Sequence, residues 1–536
     1  MKQFIFLCAA ILLLASCASE DNANQSNKSQ QDTTNVPTVT FVGYQPETTA
    51  SAKTRTTATH ERGKAAKVFW EPTDRIWVKN DQGTFRQSDP ATFPTASNKA
   101  QANFKLRTSY WDGYYKKFNP EVRYVGTSNN VNSVRIANQQ TQTNPNDFSH
   151  LGAAGDCGTA TAQGGGGDHQ FTLEHKASYL CFVPRCTNAS IGANLKVTKI
   201  TVTADKDIAG DYNFSDGTLI GKTPSNASKT ITLNLGSASP FTLNTTTENL
   251  SVNGAYMVLA PGTYNLTIDY EVKDNSNNAI SFTKTLSGFT CAEGKIRDVT
   301  ANLTPKEIGS EIYNSYWAWD AQYPYTDSRS IALAGHGANW FPLEATTPFF
   351  KTLPNINEAL YYVKNGDPHW VSSGGGVYVN EGRLVTVGGL WLKKKSVILA
   401  ELKASGKVPT TFTEADMKEH YMGQGYVADY RSSTQEGWEF PVQTGVPSNI
   451  EDYFFLPAFG HCGWTSNKPE EFGYQCYYWV SSKWNYGVLA GPAGVVYMFA
   501  YSISCGRNSE YTTTPPVSGR IHWINEGEGY CAVPFQ

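Results

Sequence analysis

Tyr264, Leu266, Ile268, Tyr270 and Val272 alternate with polar residues in YNLTIDYEV. A period of two places all five on one face of an extended strand; a helix would scatter them around its circumference. The pattern recurs at Ile200, Val202 and Ala204, and at Ile231, Leu233 and Leu235. Earlier in the chain it appears in VTFVGY (39–44), at Val68 and Trp70, at Ile76 and Val78, at Phe104 and Leu106, and at Phe171 and Leu173. Pro72-Thr73-Asp74 and Pro261-Gly262 supply turns. Strands of this length, with turn residues and no helical period between them, predict β-sandwiches. Residues 126–168 are poor in apolar side chains and rich in Asn, Gln and Gly, and they end in Gly164 to Gly167, a run that predicts a loop or domain hinge.

The chain has 536 residues, enough for several domains. Charged residues make up only 17% and aromatics reach 13%, the balance of a secreted all-β protein. A net charge of −3 offers no electrostatic case for nucleic acid or an anionic lipid surface.

The run Phe4–Ala15 behind Lys2 is apolar but falls short of the about 20 residues a helix needs to cross a bilayer, which predicts a signal peptide over 1–16. Its end, Leu14-Ala15-Ser16-Cys17, resembles the bacterial lipobox. That resemblance implies cleavage before Cys17 and acylation of its thiol and new amine, with palmitate as one expected chain. Two or more acyl chains anchor a protein stably. Ser19-Glu20-Asp21 resembles the acidic signal with which some Gram-negative anaerobes send lipoproteins to the cell surface, giving Glu20 and Asp21 an export role. Residues 18–36 are polar without an apolar period, so 17–36 predicts an anchor and flexible stalk.

Cys8 leaves with the signal peptide and Cys17 takes the lipid. Cys157, Cys181, Cys186, Cys291, Cys462, Cys476, Cys505 and Cys531 remain, and sequence alone leaves their connectivity open. Within 306–536 the expected disulfides are Cys462–Cys476 and Cys505–Cys531. No C-x-x-C is present, which speaks against a zinc ribbon.

The last 230 or so residues change character and hold most of the tryptophans. NINEALYYVKNG (355–366) predicts a helix ending in Asn-Gly. TFTEADMKEHYMG (411–423) predicts another, with Thr413 as N-cap, Asp416 as its capping-box partner and Gly423 as terminator. RLVTVGGLWL and SVILAEL predict strands, as do YFFLPAFGHCGW, YYWVSS, VVYMFAYS and GYCAVPF. Lys393-Lys394-Lys395 reads as a solvated strand end.

KTRTTATHERGKAAKVFWEPTDRIWV and LEHKASYLCFVP…VTKITVTA, together with the lipobox and stalk, resemble the fimbrillin (Mfa-like) family of surface lipoproteins and pilins. The likeness spans roughly 1–305 and implies two sandwiches, 37–168 and 169–305. The Leu-Pro ahead of the first helix, LPA-x-G at Leu456–Gly460, YW-x-SS at Tyr478–Ser482 and a terminal strand resemble C-type-lectin-like domains of the major-paralogous type, over 306–536. The expected fold class is therefore mostly β: two tandem β-sandwiches followed by an α+β lectin-like domain.

Polymerising fimbrillins are cut after an arginine near the N-terminus, and another subunit's strand fills the gap, a β-augmentation mode. Arg55 fits that position, with Arg62 as rival. The resemblance implies cell-surface adhesion as an accessory or tip-type fimbrial subunit in the outer membrane, with other fimbrillins as partners through donor-strand addition. Glycans or surface proteins are the expected ligands, and the lipid is the only membrane contact. The alternative is a non-polymerising glycan-binding lipoprotein of a nutrient-uptake system. Flat rings stack on sugars and anchor interfaces, which makes Trp464, Trp484 and Tyr486 ligand candidates, whereas Trp479 reads as core. Trp484-Asn485-Tyr486 lacks the acid that would complete the Trp-Asn-Asp calcium element of such lectins. No H-E-x-x-H, G-x-S-x-G or Walker pattern occurs, so neither an enzyme, a metal nor a cofactor is expected.

Overall fold

The computed structural model describes residues 37–45, 68–95, 98–116, 119–165, 168–327, 344–423, 426–463, 466–485, 489–490, 496–497, 499–506, 518–525 and 527–536. The described chain is mostly β, in several sheets, with a few short helices.

Thr38–Tyr44 lies inside a four-stranded sheet, with Gln101–Arg107 antiparallel on one side and Asp168–Thr172 parallel on the other. A five-stranded sheet runs Glu174–His175, Gly158–Thr161, Glu121–Tyr124, Trp77–Lys79, Phe85–Gln87. The inward residues of both sheets form one core: Phe41, Phe104 and Phe171 from the first, Val78 and Val122 from the second. Trp70 ties them together, its ring edge-on to Phe104 at 5.0 Å and to Tyr124 at 5.6 Å. The alternation read from the sequence is this core's inward face.

Asp74, in the Pro72–Asp74 turn, accepts hydrogen bonds from Glu71 N (2.7 Å) and Tyr124 OH (2.8 Å). Burial pushes its carboxyl up to about 6 against those bonds, with the charges of Asp156 and Glu71 adding to the rise. A carboxyl whose folded value exceeds its unfolded one contributes stability at low pH and loses it as pH climbs. The protein should therefore lose up to about 3 kcal/mol between pH ~4 and ~6. Urea titrations of the protein and its Asp74→Asn variant at these two pH values check this; equal slopes would count against it.

Residues 126–168, though poor in apolar side chains, supply strands to the second set of sheets. Ser133–Ile136 pairs antiparallel with Ala209–Asn213, and Gln139–Gln142 pairs parallel with Thr230–Leu235. These strands join the sheets formed by residues after 169, while Asp168–Thr172 and Glu174–His175 pair with the first unit. The two units thus exchange chain across residue 168.

Glutamine makes this possible. Gln140 donates to Val258 O (2.7 Å) and accepts from Val258 N (3.0 Å). Gln142 donates to Gly254 O (3.0 Å) and accepts from Tyr256 N (2.7 Å). Each side-chain amide copies a backbone amide and closes the open edge of Ala255–Leu259, which pairs on its other side with Ser178–Arg185. A buried strand edge must find such partners. Around this seam Tyr264, Leu266, Ile268, Tyr270 and Val272 all point inward.

The C-terminal unit is mixed. A six-stranded sheet runs Tyr316–Trp317, Tyr530–Cys531, Gln475–Lys483, Phe499–Gly506, Ser518–Asn525, Gly437–Pro441, and a four-stranded sheet contains Gly389–Lys393 and Tyr453–Pro457. The helix Ile356–Asn365 starts at a complete capping box between Asn355 and Glu358. Thr413 and Asp416 form the expected box, but that helix spans only Glu414–Glu419. Its end is at His420, not Gly423, because Tyr421–Gly423 turns back as a strand against Tyr426–Ala428.

SVILAEL is helical rather than extended: Lys395–Ala404 buries Ile398 and Leu402, four residues apart on one face. The lysine triplet does stand at a strand end, where Gly389–Lys393 gives way to Lys395–Ala404, but it is not simply solvated: Lys395 Nζ lies 2.6 Å from the buried Glu358 carboxylate and Lys393 pairs with Glu401 at 2.7 Å. The unit meets the second sandwich through Asp274, whose carboxylate accepts from Leu384 N at 2.9 Å.

All eight described cysteines are buried free thiols. The expected pairs Cys462–Cys476 and Cys505–Cys531 are not formed. Antiparallel register sets Cys476 opposite Cys505, whereas Cys462 sits on His461–Cys462 beside Pro469. Burial pushes the Cys462 thiol up to about 11 and the Cys476 thiol to about 12, which leaves them protonated and unreactive at neutral pH.

Candidate strand-acceptor site

Residues 37–45 fill a slot between two strands. Their backbone pairs from Thr38↔Arg107 to Tyr44↔Gln101 on one side and from Thr40↔Asp168 to Tyr44↔Thr172 on the other. Gln45 N and Leu173 N extend the ladders, to Ala100 O and Tyr44 O. Every polar backbone group along the slot would need a new partner if this strand left.

The slot also reads side chains. Val39 and Phe41 point into the core. Phe41 stacks on His169 at 4.5 Å between ring centroids, with Tyr115 edge-on at 5.6 Å. At Gly43 a Cβ would lie 2.6 Å from the Phe171 ring, so only glycine fits without a shift. Trp70 Nε1 donates to Gly43 O at 3.2 Å. At the far end, Gln45 Oε1 lies 2.9 Å from His175 Nε2, and His175 Nδ1 lies 2.8 Å from Asp156. The slot therefore takes an extended segment with a large ring at one position and glycine two residues on.

Arg55 and Arg62, between this strand and Trp70 in sequence, lie outside the described residues, as do Cys17, Glu20, Asp21, Trp464 and Tyr486. Trp484 is described, and it is not a surface platform. It is 4% exposed, stacks on Trp523 at 4.7 Å and donates Nε1 to Thr434 O at 3.2 Å. Its polar sequence neighbours belong to a strand end folded over the sheet, a relation only tertiary contact creates. Trp479 is buried as expected, its Nε1 donating to Trp317 O. Among the described residues no group of three His, Cys, Asp or Glu is placed to hold a metal ion.

The most exposed large rings among the described residues have no place in the sequence-based site. Trp111 is 81% exposed and Tyr110 76%, in a turn that also displays Tyr114. The signal was present in SYWDGYY: aromatics flanking an Asp-Gly turn, where no core strand would put them.

No family model matches the chain, and no curated protein matches it. Among solved structures it is similar to a candidate cell adhesion protein from Bacteroides ovatus, at 12% identity over 50% of this chain and 93% of that one, with a TM-score of 0.32. A Bacteroides uniformis protein of the same description matches at 14% identity over 50% and 94%, with a TM-score of 0.30. A fimbrial protein from Bacteroides ovatus is similar over 85% of this chain and 95% of that one, at 10% identity and a TM-score of 0.19. Likeness this low leaves function to the chain's own residues.

Proposed function

We propose that the chain is a cell-surface adhesion lipoprotein, an accessory or tip-type fimbrial subunit that receives a strand from a neighbour. The observation that supports this reading is the slot of Thr38–Tyr44. That strand lies inside its sheet, and the segment carrying Arg55 follows it. Cleavage there would cut the folded body from both this strand and the lipid at Cys17, leaving two unsatisfied ladders and the Phe41 pocket to be filled. The chain cannot readily return the favour. After Ile296–Asn302 it continues at once into Lys306–Glu307, paired with Val377–Asn380 of the C-terminal unit, so no free donor segment follows the second sandwich.

Protein cleaved at Arg55 should take up a fluorescent peptide of residues 37–45 and form no homopolymer. The Arg55→Ala variant should resist cleavage and leave the peptide free, and a peptide with Phe41→Asp should not bind. Homopolymer ladders from this protein alone would remove the tip assignment, and absence of exchange after cleavage would remove the acceptor reading.

One feature favours the alternative of a glycan-binding uptake lipoprotein. A cavity of about 530 Å³ lies between the second sandwich and the C-terminal unit, with Asn278, Ser372, Glu381 and Arg383 in its wall. Polar groups of this kind suit a small saccharide.

A further inference from the structure

Tyr110 and Trp111 stand edge to face, 5.2 Å between ring centroids, at the tip of the turn after Gln101–Arg107. The turn is built to hold them out. Ser109 and Gly113 bridge across it, and Ser109 Oγ accepts from Trp111 N and Asp112 N while donating to the Asp112 carboxylate at 2.7 Å. Gly113 has a φ of +90° and backs onto Asn80, whose Nδ2 donates to Asp112 O. Arg86 donates to Trp111 O at 2.9 Å. Lys116 lies over the Tyr114 ring at 5.0 Å. Displaying two or three rings in this way forfeits their burial, so the turn is shaped for a partner.

Position names the partner. Thr108, two residues before Tyr110, donates both its N–H (2.8 Å) and its Oγ1 (3.1 Å) to Pro37 O. Pro37 is where the chain coming from Cys17 enters the folded body. Nineteen residues, 18–36, separate the two, most of them polar, and a random coil of that length would span about 25 Å root-mean-square. The exposed rings thus sit beside the point where the chain from Cys17 joins the folded body. Tyrosine and tryptophan, with an apolar ring and a polar edge, are the side chains that settle at a membrane–water interface.

We propose that the turn 109–116 is a membrane-facing wedge, with Tyr110 and Trp111, and Tyr114 beside them, entering the headgroup layer of the bilayer that holds the chain. The wedge rests on the reading of Cys17 as the lipid site. Tethering keeps the local concentration of membrane high and so adds to a contact that the rings make by themselves. It would press the uncut protein onto the surface, and cleavage at Arg55 would free it. Arg86 and Lys116 lie against the turn, but Asp112 within it and Asp81, whose carboxylate accepts from Lys116 N, offset them, so ring insertion rather than charge drives the contact.

The test uses the chain from residue 18 onward, which keeps every described residue and lacks both the Phe4–Ala15 run and Cys17. It should sediment with neutral phosphatidylcholine vesicles, equally at low and high salt. Tyr110→Ser/Trp111→Ser should lower the partition coefficient at least about tenfold with an unchanged melting temperature, since both rings are exposed. No sedimentation of the unsubstituted chain, or undiminished sedimentation of the double variant, overturns the proposal. So does a double variant that loses binding on a glycan array from a chain that never binds vesicles. Incorporation of labelled palmitate into the full chain and its Cys17→Ala variant is read separately, which keeps failure of the wedge distinct from failure of the anchor.

Discussion

Replacing Gln140 and Gln142 together with alanine should unfold the second sandwich. Val258 N, Val258 O and Tyr256 N would lose their partners inside a buried seam, while Gly254 O would keep only the Asn146 N–H. A stranded buried polar group costs about 1–3 kcal/mol, so three cost on the order of 3–9 kcal/mol. Domain stabilities of about 5–15 kcal/mol leave little after such a loss. Leucine should do no better, because it fills the space but satisfies nothing. Calorimetry should show the transition of this sandwich lowered or absent in the double variant. A shift of only a few degrees would mean that the glutamine ladder is not what closes the edge.

The second large effect is expected at Trp484. A tryptophan exposed to ligand would leave stability untouched when removed. This one stacks on Trp523, meets Phe499 edge-on at 5.8 Å and donates to Thr434 O. Trp484→Ala should destabilise the C-terminal unit by about 3–5 kcal/mol, the range for emptying a large aromatic site. Trp484→Phe should recover part of that, though not the hydrogen bond. Denaturant melts should register the loss; a variant that melts like the parent but fails to bind a surface ligand would restore Trp484 as a contact residue.

The candidate site was legible only in part. Val39 and Phe41 show their inward face by alternation, and the VTFVGY strand is where the sequence puts it. That it lies between two partners, one of them parallel and more than a hundred residues away, has no local signature. Gly43 reads in sequence as a mere weakening of the strand; its reason is the Phe171 ring beneath it. The exposed Tyr110 and Trp111 had a sequence signal in the Asp-Gly turn, but aromatic residues are ordinarily core, and only the fold shows these two outside it.

What the sequence determined by itself is what short-range geometry dictates. Alternation at Tyr264–Val272, at Ile200–Ala204 and at Phe104–Leu106 set strands and their inward faces, because the pleat has a period of two wherever the strand sits. The Thr413–Asp416 box set a helix start, because both bonds close within one turn. Tertiary structure decided the rest. Ser396–Leu402 is apolar enough for strand or helix, and the burial of Ile398 and Leu402 on one side chose the helix. Gln139–Gln142 carries no hydrophobic signal at all. It became a strand because the open edge of Ala255–Leu259 needed donors and acceptors at the spacing its amides provide, a requirement that exists only once the distant strand is in place.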